Sequence, residues 1–327
     1  MKTENKAPLG AFLKMMTNSQ KIIAIVGPTA SGKSNLAVKI ALFINKNAKK
    51  LGVKGAEIIS ADSRQIYKWL DIGSNKITKK EMRGVPHRLL SVASPKKTFT
   101  AAQYQKLAVK AIGQIIKNKN IPILCGGTGF YIDSVIYGMH FPEVRSNLKL
   151  RKKLEKIATE KLFEMLKKKD PQKAIAIDKS NRRRLVRALE IVIATKKPIS
   201  PLKKDSRYKP LIIGVAPDMS KLKDKMARRL DTRMKKGLIK EVKQLHKKHG
   251  LSWKRLESFG LEYRFIAQFL QKKISKKEMR EKIINKSRRY AKRQMTWFKR
   301  NNNIIWIVNH DKKLPALPQI VSEFLIN

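Results

Sequence analysis

Residues 21–34 read Lys21-Ile-Ile-Ala-Ile-Val-Gly27-Pro-Thr-Ala-Ser-Gly-Lys33-Ser34, and this stretch decides the fold. Ile22–Val26 is an unbroken apolar run that stops at a glycine, as strands buried on both faces do. From Gly27 the chain fits the pattern G-x-x-x-x-G-K-[ST], and apolar residues at helical spacing follow from Ser34 to Lys46. A strand, a glycine-rich turn and a helix in that order form an anion nest, because backbone N–H groups and the helix N-terminus converge on one point. The nest comprises Gly27, Pro28, Thr29, Ala30, Ser31, Gly32, Lys33 and Ser34. Lys33 supplies a point charge to a phosphate and Ser34 offers a hydroxyl to Mg²⁺. The pattern indicates a di- or triphosphate without saying which.

Working outward, Ala56–Asp62 and Ile121–Gly127 are further strand-like runs, with helical spacing over Thr100–Lys117 between them. Such alternation predicts an α/β fold, a P-loop-containing parallel sheet flanked by helices. Ligands bind such sheets beyond the carboxyl ends of the strands, so the functional residues are expected after Gly27, Asp62 and Gly126. From about His140 the texture becomes helical and basic: residues 145–190 hold 16 Lys/Arg against 6 Asp/Glu, in two helical patterns split near Asp170 and Pro171. Strand character returns at Leu211–Pro217 and Asn303–Asn309. A capping-box pattern at Ser275–Glu278 opens a helix towards Arg300. The expected organisation is a flexible tail over 1–20, an α/β catalytic core over 21–138 and 205–327, and a basic helical insertion over 139–204 that binds RNA.

The 327 residues carry 75 Lys and Arg against 24 Asp and Glu, a formal net charge of +51. That charge attracts polyanions at long range, nucleic acid first and anionic membrane second. The single cysteine, Cys125, excludes an internal disulfide and suits a reducing compartment, the cytoplasm. The histidines show no metal-ligand spacing, and His246 and His249 read as the solvated face of a basic helix. No apolar run reaches the roughly 20 residues that span a bilayer, and the N-terminus lacks the layout of a signal peptide.

Two further turns carry chemistry. Asp62 follows the second strand, beside the phosphate loop, where a carboxylate can reach Mg²⁺ through water, act as a general base, or simply cap a helix. Gly126-Gly127-Thr128-Gly129 follows the third; its glycines allow close approach, and the Thr128 hydroxyl can donate to a leaving oxygen. A plain strand–helix turn is the competing reading. Phe130, Tyr131 and Tyr137 offer an apolar slot, or else core packing.

In combination these segments resemble the tRNA dimethylallyltransferase (tRNA isopentenyltransferase) family. The match runs through GPTASGKS (27–34), DSRQIYKWLDIGSNK (62–76), GVPHRLL (84–90) and GGTGFYIDSVIYG (126–138). It continues through NRRRLVRALEI (181–191), RRLDTRMKKGLIKEV (228–242), SFGLEYR (258–264) and RRYAKRQMTWFKR (288–300). The resemblance implies transfer of a dimethylallyl group from dimethylallyl diphosphate to N6 of the adenosine immediately 3′ of the anticodon, in tRNAs reading codons that begin with U. It implies Mg²⁺ as cofactor, with the phosphate loop holding the donor's diphosphate. Asp62 matches the family's general base, Thr128 the hydroxyl at the bridging oxygen, and Arg229 an arginine near the diphosphate. The tRNA anticodon stem-loop is expected on Asp62, Ser63, Arg64 and Gln65, on Arg151, and on Arg183, Arg184, Leu185, Val186 and Arg187. A last contact segment comprises Arg288, Arg289, Lys292, Arg293 and Gln294. The chain closes soon after its last strand-like run, which matches the short, bacterial-type form, and a monomer is expected.

The chemistry agrees with the resemblance. Breaking an allylic C–O bond leaves a diphosphate whose growing charge needs a nest, a lysine and a metal, and a flipped-out loop base is the usual target of RNA readers. A P-loop nucleotide kinase shares the nest but leaves the Asp62 segment and the basic insertion unexplained. Prenylation of free AMP needs no basic insertion, and an RNA-binding module without catalysis leaves Lys33, Asp62 and Thr128 without a role. The chain departs from the family pattern in two places. Ser74-Asn75 stands where Thr-Ala is usual before the lysine, here Lys76, and Leu261 stands where an aromatic is common, with Tyr263 two residues on.

Overall fold

The computed structural model describes residues 20–218, 220–308 and 316–327. The tail expected over 1–20 lies, Gln20 apart, outside the described residues. Six strands form one sheet: β1 (Gln20–Val26), β2 (Gly55–Ser60), β3 (His87–Arg88), β4 (Asn120–Gly126), β5 (Tyr208–Ala216) and β6 (Ile304–Val308). They lie in the order β3-β2-β4-β1-β5-β6, every neighbouring pair parallel. The α/β class is as the sequence predicts.

Strand alternation sorts the core into two layers. Ile22, Ala24 and Val26 of β1 face the layer closed by Tyr104, Ala108, Ile112 and Ile115 of the helix Ala101–Lys117. Ile23 and Ile25 face the layer closed by Leu36, Ala37, Ile40 and Ile44 of the helix Lys33–Lys46. Full burial of each such aliphatic side chain contributes roughly 1.5–3 kcal/mol. The expected capping box is present: the Ser275 hydroxyl accepts from Glu278 N, and the Glu278 carboxylate accepts from Ser275 N, at the start of the helix Lys276–Phe298.

The order of strands positions the site. From β1 the chain crosses to β2, two places away; from β4 it crosses past β1 to β5 on the other side. The reversal leaves a crevice at the carboxyl ends of β1 and β4, where Gly27 and Gly127 stand. β4 separates β2 from β1, so the turn after Gly126 follows the strand between them, while the Asp62 carboxylate still acts on Lys33 of the phosphate loop. The crossover skips a strand, which sequence order does not reveal. The backbones close tightly here, since a Cβ on Gly126 would lie 2.1 Å from the Ala61 carbonyl oxygen.

The chain divides into two compact units, the sheet with its helices and the segment Met139–Asp205. The latter contains the helices Leu148–Leu154, Thr159–Lys169, Pro171–Ala176 and Arg182–Thr195. Leu154, Leu162, Leu166, Leu185 and Leu189 form its own apolar core. The buried Asp170 caps the turn before Pro171, accepting from Lys173 N at 3.0 Å and Ile199 N at 2.6 Å. Glu190 is fully buried and clamps the unit together. It takes both Arg151 Nε (2.9 Å) and Nη2 (2.7 Å), the Arg187 guanidinium, and the backbone N–H of Asn147 (2.7 Å). Burial acts to raise its pKa, but the hydrogen bonds from Arg151 and Arg187 outweigh it and hold the carboxyl below the usual range.

Removing Glu190 leaves two arginines without their acceptor, so Glu190→Ala should destabilise this unit by about 3 kcal/mol. Because the folded pKa is depressed, the stability that Glu190 contributes is complete above the ordinary carboxylate range and lost as pH falls through the lowered value. Urea titrations of both proteins at neutral and acid pH check this; curves that differ equally at every pH would contradict it.

Candidate active site

Positive φ values at Ala30 (65°) and Gly32 (95°), one residue apart, curl the phosphate loop into a nest. Gly27 (φ 150°) is required by contact, since a Cβ there would lie 2.6 Å from the Val215 carbonyl oxygen. Lys33 Nζ donates to the Pro28 carbonyl at 3.2 Å. Burial lowers its pKa and Arg229 adds to the effect, while Cys125 and Asp62 pull the other way. Cys125 lies beneath the loop; burial pushes its thiol up to about 11 despite a hydrogen bond with Ser34.

The Asp62 and Thr128 turns interlock. Asp62 Oδ1 accepts from Arg64 N (2.8 Å) and Gln65 N (3.3 Å), an Asx turn that fixes the carboxylate. Thr128 N donates to the Ala61 carbonyl at 3.2 Å, and Thr128 Oγ1 accepts from Ser63 N at 3.1 Å. The threonine hydroxyl keeps its own proton to donate. Tyr290 adds a residue that sequence reasoning missed. Its side chain lies beside Thr128, and burial first, then the charge of Asp62, pushes its hydroxyl up to about 12.

The helix Lys276–Phe298 closes the crevice. Gln294 is buried, its Oε1 accepting from Thr29 N (2.9 Å) and its Nε2 donating to the Gly127 carbonyl (2.7 Å). Arg229 reaches Asn75, Nε to Oδ1 at 3.2 Å, so the departure at Asn75 provides an acceptor. Burial first, then Arg233, pushes the Arg229 pKa down to about 10. Arg233 pairs with the buried Glu262 at 2.7 Å and donates to the Gly73 carbonyl at 3.0 Å.

Glu241 is a second missed residue. Its carboxylate accepts from the backbone N–H groups of Asp71, Ile72 and Gly73 and from the Tyr263 hydroxyl at 2.9 Å. Tyr263 is buried against Gly73, where a Cβ would lie 2.5 Å from its ring. The tyrosine of the departing SFGLEYR segment thus fixes the loop after Asp71. The signal available in the sequence was only an acidic residue in a basic helix, which names no partner.

The residues expected to meet tRNA fall into distinct environments. Arg288, Arg289, Lys292 and Arg293 are exposed on the helix Lys276–Phe298. Three of them, with Ser220 and Lys223, line a basic depression of 570 Å³. Arg183 and Arg184 are exposed in the 139–205 unit, whereas Leu185 and Val186 are buried in its core and Arg151 and Arg187 hold Glu190. Arg64 braces the protein itself, Nε donating to the Phe259 carbonyl at 2.7 Å, and Gln65 Nε2 bonds the Asn75 carbonyl at 3.2 Å. Of the expected apolar slot, Tyr131 stacks on Tyr104 at 4.0 Å within the core, Tyr137 accepts from Asn301, and Phe130 stands edge-on to Trp297. The expected histidine face is corrected: His246 stacks on Trp253, and His249 lies beyond its helix and stacks on Trp69 at 3.9 Å.

A parallel sheet with a glycine-rich nest after its first strand defines an α/β protein of the P-loop class. The sequence pattern of the IPP transferase family matches residues 65–301. The chain is 41% identical over 321 residues to a tRNA dimethylallyltransferase of Caldanaerobacter subterraneus, covering 93% of this chain and 97% of that one. It is 36% identical to a tRNA dimethylallyltransferase of Bacillus subtilis, covering 89% and 92%. The crystal structure of a tRNA isopentenylpyrophosphate transferase from Bacillus halodurans matches with a TM-score of 0.68 at 34% identity, over 94% of this chain and 97% of that one. A eukaryotic dimethylallyltransferase acting on tRNA shares the fold, with a TM-score of 0.71 at 23% identity over 93% and 78%. The chain belongs to the IPP transferase family.

Because burial lowers the Lys33 pKa, affinity for inorganic diphosphate should begin to fall at a pH below that at which an ordinary lysine discharges. Lys33→Met should flatten the fall to the part that Arg229 contributes. Calorimetric titration with diphosphate across this range checks it, and a decline beginning only above 10.5 would refute the lowered lysine.

Proposed function

We propose that this chain transfers the dimethylallyl group of dimethylallyl diphosphate to N6 of the adenosine 3′-adjacent to the anticodon of tRNA, giving N6-isopentenyladenosine and diphosphate. The observation that supports the reading is a crevice lined by the glycine-rich loop, the Asp62 carboxylate fixed by its Asx turn and the Thr128 hydroxyl, in a chain of this family. In the reaction the N6 nitrogen attacks the allylic C1, and the C1–O bond to the diphosphate breaks with its electron pair going to oxygen. Asp62 takes the proton that N6 gives up. The Thr128 hydroxyl donates to the bridging oxygen, and the nest, Lys33 and Arg229 meet the charge that develops on the diphosphate. Donors aimed at developing charge are commonly the largest single contribution to such a reaction.

Mg²⁺ fits this donor set. Among the described residues no cluster of His, Cys, Asp and Glu could cage a metal, and Mg²⁺ characteristically binds one or two protein oxygens plus phosphate oxygens and water. Ser34 would hold it, and when bound it neutralises the diphosphate. The exposed arginines and lysines of 183–184 and 288–293 supply phosphate contacts to the anticodon stem-loop. The tRNAs proposed are those reading codons that begin with U, and the protein acts as a monomer in the cytoplasm. No helix among the described residues is long and apolar enough to cross a membrane.

Nucleoside mass spectrometry of unmodified tRNA incubated with the protein, Mg²⁺ and dimethylallyl diphosphate should reveal N6-dimethylallyl adenosine. A tRNA left unaltered would sink the reading. Asp62→Asn should lower turnover by about 10²–10⁴-fold with tRNA affinity retained; turnover near that of the native protein would remove Asp62 from the role of base.

A further inference from the structure

The helix Lys276–Phe298 presents two chemically different faces. Arg288, Arg289, Lys292 and Arg293 are exposed, whereas Tyr290, Gln294 and Trp297 recur at i, i+4 and i+7 along the face turned to the sheet. These three meet the 127–133 segment in turn. Tyr290 lies beside Thr128, Gln294 bonds the Gly127 carbonyl, and Trp297 Nε1 donates to Asp133 Oδ2 at 2.8 Å. Only Gln294 also reaches the phosphate loop, through the backbone N–H of Thr29.

We propose that Gln294 is a positioning residue, whose side-chain amide sets the separation of the phosphate loop from the Thr128 turn so that a seated diphosphate meets the Thr128 hydroxyl. The inference deepens the prenyl-transfer reading and rests on it. Its two partners lie at the ends of β1 and β4, the strands that flank the topological reversal. One partner is a donor and the other an acceptor, so an amide satisfies both at once and can lie only one way round. Gly127 carries an independent mark of this fit, since a Cβ there would lie 2.3 Å from Gln294 Nε2. With 7% of its surface exposed and both ends of its amide bonded within the protein, Gln294 is set apart from the RNA-contact residues among which the family resemblance places it.

Gln294→Met keeps the volume and removes both bonds. It should lower kcat/KM for the prenyl donor by about 10²-fold, the cost of a small misplacement of reacting groups, and weaken inorganic diphosphate binding, with tRNA affinity unchanged. Gln294→Glu gives a sharper readout. The ionised carboxylate still accepts from Thr29 but repels the Gly127 carbonyl, while the protonated carboxyl accepts from one and donates to the other, as the amide does. The ratio of this variant's kcat/KM to that of the native protein should therefore rise as pH falls. A ratio flat with pH would overturn the proposal. So would weakened tRNA binding with diphosphate binding intact, which marks an RNA contact, or a lowered melting temperature with native kinetics, which marks a scaffold residue. Diphosphate calorimetry needs no prenyl transfer, so a failure of the reaction reading stays distinguishable from a failure of this one.

Discussion

β1 is covered on both faces and flanked by a strand on both edges, so only its ends are accessible. Everything that serves the site is arranged around its carboxyl end. The nest grows from it, the neighbouring β4 delivers Thr128 beside it, and the skipped-strand crossover brings Asp62 in from the far side of β4. A strand with one polar face would have offered a second approach and a less defined crevice. The apolar alternation that buries Ile22–Val26 in two layers is therefore also what confines the glycine-rich nest to one place.

The charge balance has a structural counterpart. With 24 acidic residues against 75 basic ones, the buried acids recur as anchors. Glu190 holds two arginines, Glu262 holds Arg233 and Asp170 caps a helix, while the half-buried Glu241 gathers three backbone N–H groups. Removing a buried ion-pair partner costs far more than removing a solvated charge. The remaining cations can accumulate on exposed faces, as on the helix Lys276–Phe298, where a polyanion can reach them.

Legibility in the sequence follows the range of each interaction. The nest, the capping box at Ser275 and the strand runs are local patterns, and the sequence places those runs to within three residues. Strand order is not local, and nothing in the sequence shows that β4 lies between β1 and β2. Roles for Gln294 and Glu241 depend on backbone partners 167 or more residues away in the chain, and no spacing rule identifies those. Resemblance to a family assigns residues to a segment but not to a face of a helix. That is why Gln294 was grouped with the arginines around it, and Leu185 with its exposed neighbours.

Cys125 is the penultimate residue of β4, buried beneath the phosphate loop, with its thiol held above the ordinary range. A thiol that is both covered and protonated is a poor nucleophile, so air oxidation and maleimide reagents find little to attack in the native chain. One cysteine introduced on a solvent-facing position then becomes the sole reactive handle, and a fluorophore or spin label can be attached at a chosen place without first removing the natural residue.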